Sequence, residues 1–205
     1  MTSPSFTTTV PRSLILASTS RYRRELMERL QWPFEVHSPH VDETPHPHET
    51  PLDLSMRLAQ SKALAVSQQH PSALVVGSDQ VADLLGEPLG KPLTHEVATR
   101  ELKRMSGQKV LFHTSVCVSC VESGFLEVQS SMVQVQFRVL SDAEIESYLL
   151  KDQPYDCAGS SKSESLGIAL VESIQSDDPT ALIGLPMIKT LALLRKAGLN
   201  VLDRN

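Results

Sequence analysis

The sequence has no apolar run that approaches the roughly 20 residues a helix needs to cross a bilayer. It also has little cysteine, and three residues of this type do not build the disulfide framework of a small secreted domain. An excess of positive charge is missing as well, since the formal net charge is -5. This charge excludes a general attraction to nucleic acid or to an anionic membrane. These absences predict a cytoplasmic protein whose phosphate-binding sites, if it has any, rest on a few placed cations.

Two of the cysteines, Cys117 and Cys120, have the C-x-x-C spacing found in redox and zinc sites. The run around them, VLFHTSVCVSCVES, alternates as a β-strand does, so we expect the two side chains on opposite faces. The sequence has no second cysteine pair to complete a zinc site. We therefore interpret the spacing as part of a strand.

The 205 residues fit one domain with a sizeable core, because 40% of them are hydrophobic. Residues 1–12 are rich in Ser and Thr but lack the apolar centre of a secretion signal. They are predicted to be a disordered extension. Residues 13–205 are predicted to form a single domain.

Hydrophobic periodicity and capping residues predict a mixed α/β order of elements. Helices are expected after Ser20, over about 52–68, from Thr94 to about 105, from Ser141 to about 150, and over 185–196. Strands are expected over 14–17, 34–37, 73–76, 110–121, 126–140 and 167–171. The two long strands are predicted to form an antiparallel hairpin.

The first candidate site is a hydroxyl-rich turn, Ser18-Thr19-Ser20, that opens the first helix and leads into Arg21, Arg23 and Arg24. Main-chain N–H groups at a helix start bind phosphate well, although an ordinary capped helix has the same pattern. Cations are mildly unfavourable at this end of a helix dipole. Their accumulation here indicates that a function keeps them.

The second candidate is Asp79, which is predicted to follow the apolar strand 73–76 directly. Ligands of α/β proteins collect beyond the carboxyl ends of strands, whereas a loop aspartate also caps turns. Asp42 and Glu43 follow another short strand, and either could share a divalent cation with Asp79. Oxygen ligands of this kind suit Mg²⁺ or Mn²⁺ beside a phosphate.

Two further segments leave alternatives open. Gly86 to Lys91 is one residue shorter than a P-loop, and Pro92 replaces the required Ser or Thr. The segment is therefore either a turn that projects Lys91 toward a phosphate or a plain surface turn. The histidine-rich stretch from His37 to His48 is interpreted as a solvated loop rather than a transition-metal site.

Taken in order, these segments resemble the Maf-like nucleotide pyrophosphatases over about residues 14–199. The matching segments are LILASTSRYRREL, VDETP, RLAQSKA, VVGSDQV, GKP, FRVLSDAEIESYL, CAGSSKSESLGI and GLP. The resemblance implies a mixed sheet with flanking helices and a central cleft, like that of the inosine triphosphatases. It also implies a homodimer, and hydrolysis of a nucleoside triphosphate to a monophosphate and pyrophosphate with Mg²⁺ or Mn²⁺.

The resemblance further implies roles for six residues: phosphate binding by Ser18 and Arg23, metal binding by Glu43 and Asp79, and neutralisation of charge by Lys62 and Lys91. Asp79 is also expected to accept the proton of the attacking water. Attack is expected at the α-phosphorus, because the products are a monophosphate and pyrophosphate.

Three positions resemble the 7-methyl-GTP pyrophosphatase branch of this family: Tyr22, Gln80 and Glu164. The dTTP- and UTP-cleaving branch has Arg, Thr and Gln there. A 7-methylated guanine is positively charged, so an aromatic face and a carboxylate both favour it. The chain departs from the branch at Tyr22, where Trp is more common, and at Arg21, which replaces a proline.

The resulting prediction is hydrolysis of 7-methyl-GTP to 7-methyl-GMP and pyrophosphate. One alternative is a pyrophosphatase for another non-standard nucleotide or for the pyrimidine nucleotides dTTP and UTP. The other is a nucleotide-binding regulator of cell division without turnover.

Overall fold

One mixed β-sheet carries the fold of residues 12–203, the part of the chain that the computed structural model describes. The predicted N-terminal extension, residues 1–12, lies outside the described residues except for Arg12. The strands are β1 (Leu14–Ala17), β2 (Glu35–His37), β3 (Leu74–Leu84), β4 (Glu87–Leu89), β5 (Lys109–Cys120), β6 (Phe125–Phe137) and β7 (Val171–Ser176). The main path through the sheet is β2-β1-β3-β5-β6-β7, and β4 pairs with β3.

Helices flank both faces of this sheet. They are α1 (Arg21–Glu28), α2 (Pro51–Ser67), α3 (His95–Met105), α4 (Asp142–Asp152) and α5 (Met187–Lys196). Each of the first four begins after a residue whose side-chain hydroxyl accepts a main-chain N–H of the first turn. These capping residues are Ser20, Thr50, Thr94 and Ser141 respectively. The predicted α/β class, the central hairpin β5–β6 and the caps at Thr94 and Ser141 are confirmed.

The two faces of the sheet bury different helices. On one face, α2 packs on β3 and β5, where Cys117 contacts the cluster of Ala59 and Ala63. On the other face, α1 and α5 pack beside β1, in a cluster that contains Cys120. The C-x-x-C cysteines therefore face opposite sides of the sheet, as predicted. Farther along that second face, α3 and α4 cover another apolar cluster.

The long strand β3 creates the main opening of the fold. β1 runs parallel to β3 along Leu74–Gly77, and β4 pairs with the same edge along Ala82–Leu84. The residues between these pairings, Ser78–Val81, therefore lie in a gap on that edge. On the opposite edge β5 pairs with β3 without interruption from Val75 to Asp83.

The expectation that a strand ends at residue 76 and that Asp79 follows it is wrong. Asp79 lies inside β3, because pairing with β5 carries the extended chain through the polar segment Gly77–Gln80. The expected strand over 167–171 is also wrong, since Leu166–Leu170 form a short 3₁₀ helix and β7 begins at Val171. In this 3₁₀ helix the N–H of Ile168 donates to the carbonyl of Ser165, a local bond that an extended chain does not make.

A close approach between α2 and β3 depends on Gly77. A Cβ atom at this position would lie 2.4 Å from the carbonyl oxygen of Ala59 and 2.5 Å from the nitrogen of Ala63. The backbone of α2 therefore rests directly on the strand. This contact brings Lys62 of α2 over Asp79 of β3.

Candidate active site

A cleft of about 720 Å³ opens over the gap in the edge of β3. It is lined by all nine residues predicted from the sequence: Ser18, Tyr22, Arg23, Glu43, Lys62, Asp79, Gln80, Lys91 and Glu164. Because no strand covers this edge of β3, side chains from both faces of the strand reach the same space. We call the region of Ser18, Arg23, Glu43, Lys62, Asp79 and Lys91 the charged end, and that of Tyr22, Gln80 and Glu164 the open end.

A buried ammonium joins two carboxylates at the charged end. Lys62 Nζ donates to Asp79 Oδ1 at 2.7 Å and lies 2.8 Å from Glu43 Oε1. The Lys62 and Asp79 side chains are 7% and 9% exposed, whereas that of Glu43 is 54% exposed. A helix and a strand fix the first two groups, and Glu43 joins them from a segment outside regular structure.

The two carboxylates have opposite pKa shifts. Burial raises the pKa of Asp79, and the nearby charges of Lys62 and Arg23 offset this only in part. Burial also acts to raise the pKa of Glu43, but its hydrogen bond to Lys62 and nearby positive charges outweigh this and lower it. A raised pKa makes Asp79 the better proton acceptor, and a lowered one keeps Glu43 ionised.

Arg23 enters the cleft from the first turn of α1. Its Nε donates to the carbonyl oxygen of Gly184 at 2.7 Å, which fixes the guanidinium plane. Burial lowers its pKa, while Asp79 and Glu43 act in the opposite direction. Before the helix, the buried Ser18 accepts the N–H of Ser20 at 3.1 Å through its Oγ. The start of α1 therefore combines hydroxyls, main-chain amides and a cation.

Lys91 lies in the irregular segment that follows β4. Two main-chain bonds tie this segment to the one that leads to Glu164: Gly159 N–H donates to Gly90 O at 3.3 Å, and Leu93 N–H donates to Tyr155 O at 3.1 Å. Lys91 itself is exposed, and its charge contributes to the lowered pKa of Glu43. The segment after β4 thus brings an exposed cation to the charged end.

At the open end, three acceptors fix the amide of Gln80. Its Nε2 lies 2.9 Å from the carbonyl oxygen of Ala181, 3.0 Å from that of Leu182 and 3.0 Å from Thr114 Oγ1. These acceptors require the nitrogen on this side, so the amide oxygen is the atom left for a ligand. Gln80 is therefore positioned to accept a hydrogen bond in the cleft.

The aromatic ring of Tyr22 has a cation beside it. Arg21 Cζ lies 4.7 Å from the ring centroid, and Arg21 Nη2 donates to the Tyr22 hydroxyl at 2.7 Å. Cys157 Sγ lies 3.9 Å from the same hydroxyl. Burial raises the pKa of both Tyr22 and Cys157 to about 12, so both groups are neutral at pH 7. Glu164, the third residue of the open end, is exposed.

Sequence reasoning missed several groups that hold these side chains. The carbonyls of Ala181, Leu182 and Gly184 are main-chain atoms, so no residue type could have identified them. The pair of Arg57 and Glu49 was also missed, although a signal existed. An arginine in RLAQSKA and a glutamate in the preceding acidic stretch have opposite charges at a helix entrance.

Comparison with known proteins gives consistent similarities. The family model described as Maf-like protein matches residues 13–197. A protein named 7-methyl-GTP pyrophosphatase from Polaromonas sp. (strain JS666) is 59% identical over 191 residues, which cover 93% of this chain and 87% of the relative. One of the same name from Albidiferax ferrireducens is 58% identical over 193 residues, 94% of this chain and 97% of the relative.

Two further matches have lower sequence identity. A protein named 7-methyl-GTP pyrophosphatase from Bordetella pertussis is 52% identical over 193 residues, 94% of this chain and 96% of the relative. Among solved structures, the Staphylococcus aureus Ham1 protein matches with a TM-score of 0.45 and 17% identity, over 62% of this chain and 72% of that chain.

Proposed function

The chain belongs to the Maf-like family, and we propose that it hydrolyses 7-methyl-GTP to 7-methyl-GMP and pyrophosphate. Relatives that it matches over more than 90% of its length have the name of this activity. The structural observation that carries the proposal is the composition of one cleft. Buried opposite charges lie at one end, and a fixed hydrogen-bond acceptor and a carboxylate lie at the other.

The charged end suits a divalent cation held with the help of the substrate. Within residues 12–203, no three His, Cys, Asp or Glu side chains come together as a metal-binding group. Mg²⁺ commonly takes one or two carboxylates and completes its shell with phosphate oxygens and water. Glu43 and Asp79, which meet at one ammonium, fit this pattern and would hold Mg²⁺ or Mn²⁺. The metal would offset phosphate charge in the transition state.

The residues of the charged end divide the remaining work. Asp79 accepts a proton from the water that attacks the α-phosphorus, since its raised pKa favours proton uptake. Ser18 and the amides at the start of α1 hold phosphate oxygens. Arg23 donates its Nε hydrogen to the carbonyl oxygen of Gly184, which leaves its other guanidinium nitrogens to bind the phosphates. Lys62 and Lys91 offset the negative charge that moves to the leaving pyrophosphate.

The open end selects the base. A 7-methylated guanine carries a positive charge and has N–H donors on its edge, so the Gln80 oxygen and the Glu164 carboxylate complement it. Uracil and thymine present carbonyl oxygens toward these acceptors, and the resulting repulsion disfavours them. The face of Tyr22 adds a weaker attraction for the cationic ring.

A substrate profile with Mg²⁺ and with Mn²⁺ tests this proposal. We expect kcat/KM for 7-methyl-GTP to exceed that for GTP about tenfold, which corresponds to ~1.4 kcal/mol from the contacts to the charged ring. Values for dTTP and UTP should be lower still. Faster hydrolysis of dTTP or UTP than of 7-methyl-GTP would contradict the assignment of the base.

We also expect a cytoplasmic homodimer that does not bind nucleic acid or membranes. Within residues 12–203, no helix is long and apolar enough to cross a membrane. Light scattering after size-exclusion chromatography tests the dimer, which should have twice the 22.5 kDa mass of the chain.

A further inference from the structure

The segment that carries Glu43 has no regular structure to hold it in place. Residues 38–50 all belong to the described part of the chain and form neither helix nor strand. Glu43 nevertheless has to keep its carboxylate beside Lys62 and Asp79. Its position therefore depends on side chains that fasten the segment to the rest of the fold.

Arg57 on α2 makes these contacts at two points of the segment. Its Nε donates to Glu49 Oε1 at 2.6 Å and its Nη2 to Glu49 Oε2 at 2.8 Å, a two-point arrangement on one carboxylate. The same Nη2 donates to the carbonyl oxygen of Thr44 at 3.1 Å. Thr44 directly follows Glu43, so this bond fixes the main chain next to the carboxylate of interest.

The contact is more than a surface ion pair. The Glu49 side chain is 8% exposed and that of Arg57 26% exposed. Glu49 also accepts the N–H of His46 at 3.0 Å through Oε2, so one carboxylate ties the middle of the segment to its end. These bonds lower the pKa of Glu49 to about 2, so the pair stays charged at neutral pH.

We infer that Arg57 is a positioning residue of the reaction, which sets where Glu43 lies by holding Thr44 and Glu49 against α2. Arg57 and Lys62 both belong to α2. Arg57 fixes the main chain beside Glu43, and Lys62 fixes the Glu43 carboxylate, so one helix holds both. This inference rests on the proposed function, because it requires Glu43 to bind the metal. Replacement of a residue that orients a metal ligand in this way commonly weakens metal binding 10- to 100-fold.

Arg57→Lys tests the inference, because lysine keeps the charge but has one nitrogen for three acceptor atoms. The probe is Mn²⁺ alone, with its binding followed by electron paramagnetic resonance and without nucleotide. We expect the Kd for Mn²⁺ to rise about tenfold, while kcat for 7-methyl-GTP at saturating Mn²⁺ falls less than about threefold. Glu49→Gln should also weaken Mn²⁺ binding, and it serves as the test if Arg57→Lys does not fold.

Arg138→Lys is a matched control. Arg138 also donates to a glutamate, Glu144, and to a main-chain carbonyl, that of Ala169, but it does not line the cleft. The Arg138→Lys substitution should leave the Kd for Mn²⁺ unchanged, even if it lowers the melting temperature as much as Arg57→Lys does. A Kd that rises less than about threefold in Arg57→Lys, or equally in both variants, would overturn the inference.

The same measurements separate this inference from the proposed function. If the unsubstituted protein binds Mn²⁺ and Arg57→Lys binds it equally well, only the positioning role fails. If the unsubstituted protein binds Mn²⁺ neither alone nor together with pyrophosphate, which supplies phosphate oxygens, the proposed metal role of Glu43 and Asp79 fails, and the inference fails with it. The identity of the base is decided by the substrate profile alone.

Discussion

The two ends of the cleft are held in different ways. At the charged end, Lys62 and Asp79 are buried on a helix and a strand, and their charges bond each other. At the open end, Glu164 is exposed, and the partly buried Tyr22 lies beside Arg21. The least exposed groups of the charged end are thus fixed by a helix and a strand. Glu164 of the open end has no such support, so we expect its substitution to change substrate preference with little effect on the fold.

Gln80 connects the two ends. It follows Asp79 on β3, so its side chain leaves the opposite face of the strand and meets the carbonyls of Ala181 and Leu182. One strand thus supplies both the carboxylate that we propose as catalytic and the amide that we propose to select the base. The comparison predicts that variants of the charged end change turnover for every substrate, whereas variants of the open end change the ratio between substrates.

The largest effect is expected for Asp79→Asn. In the proposed mechanism it removes the proton acceptor and one metal ligand, so kcat/KM should fall by at least about 10³-fold for every nucleotide. Circular dichroism should show the native fold, since Asn has nearly the same shape and Glu43 still pairs with Lys62. Turnover close to that of the unsubstituted enzyme would contradict the mechanism.

An intermediate effect is expected for Glu164→Gln at the open end. The loss of a carboxylate should lower the preference for 7-methyl-GTP over GTP about fivefold, since the face of Tyr22 keeps part of it, and should leave kcat for GTP nearly unchanged. Glu172→Gln is the control, because Glu172 on β7 is also exposed but does not line the cleft. Equal losses for both nucleotides would show that Glu164 does not distinguish the charged base.

The smallest effect is expected for Arg21→Ala. The guanidinium lies beside the ring of Tyr22 and repels a second cation, so its removal should raise the preference for 7-methyl-GTP over GTP about threefold. Arg24→Ala serves as the control, since Arg24 is exposed one turn along and pairs with Glu28. A ratio that stays constant, or that falls, would show that Arg21 does not oppose the binding of a cationic base.

The sequence predicted most of the local structure, and the nine residues that it singled out line one cleft. Caps at Thr94 and Ser141 depend on neighbouring residues only, so they were predictable. The placement of Asp79 after a strand was wrong, because the pairing of β3 with β5 joins residues far apart in sequence. For the same reason the carbonyls that fix Gln80 and the contact between Arg57 and Thr44 were not predictable. The roles of the nine cleft residues stay predictions.

Gly77 has no side chain that could bind a ligand or react, yet the geometry of the charged end depends on it. The absent side chain lets α2 lie against β3, with the Ala59 oxygen where a methyl group would stand. The distance between Lys62 and Asp79 is thus set first by how closely the two backbones pack, and only then by the attraction between the two charges. A list of catalytic residues would omit position 77. One added carbon there would nevertheless push α2 away from β3, and with it Lys62 away from Asp79.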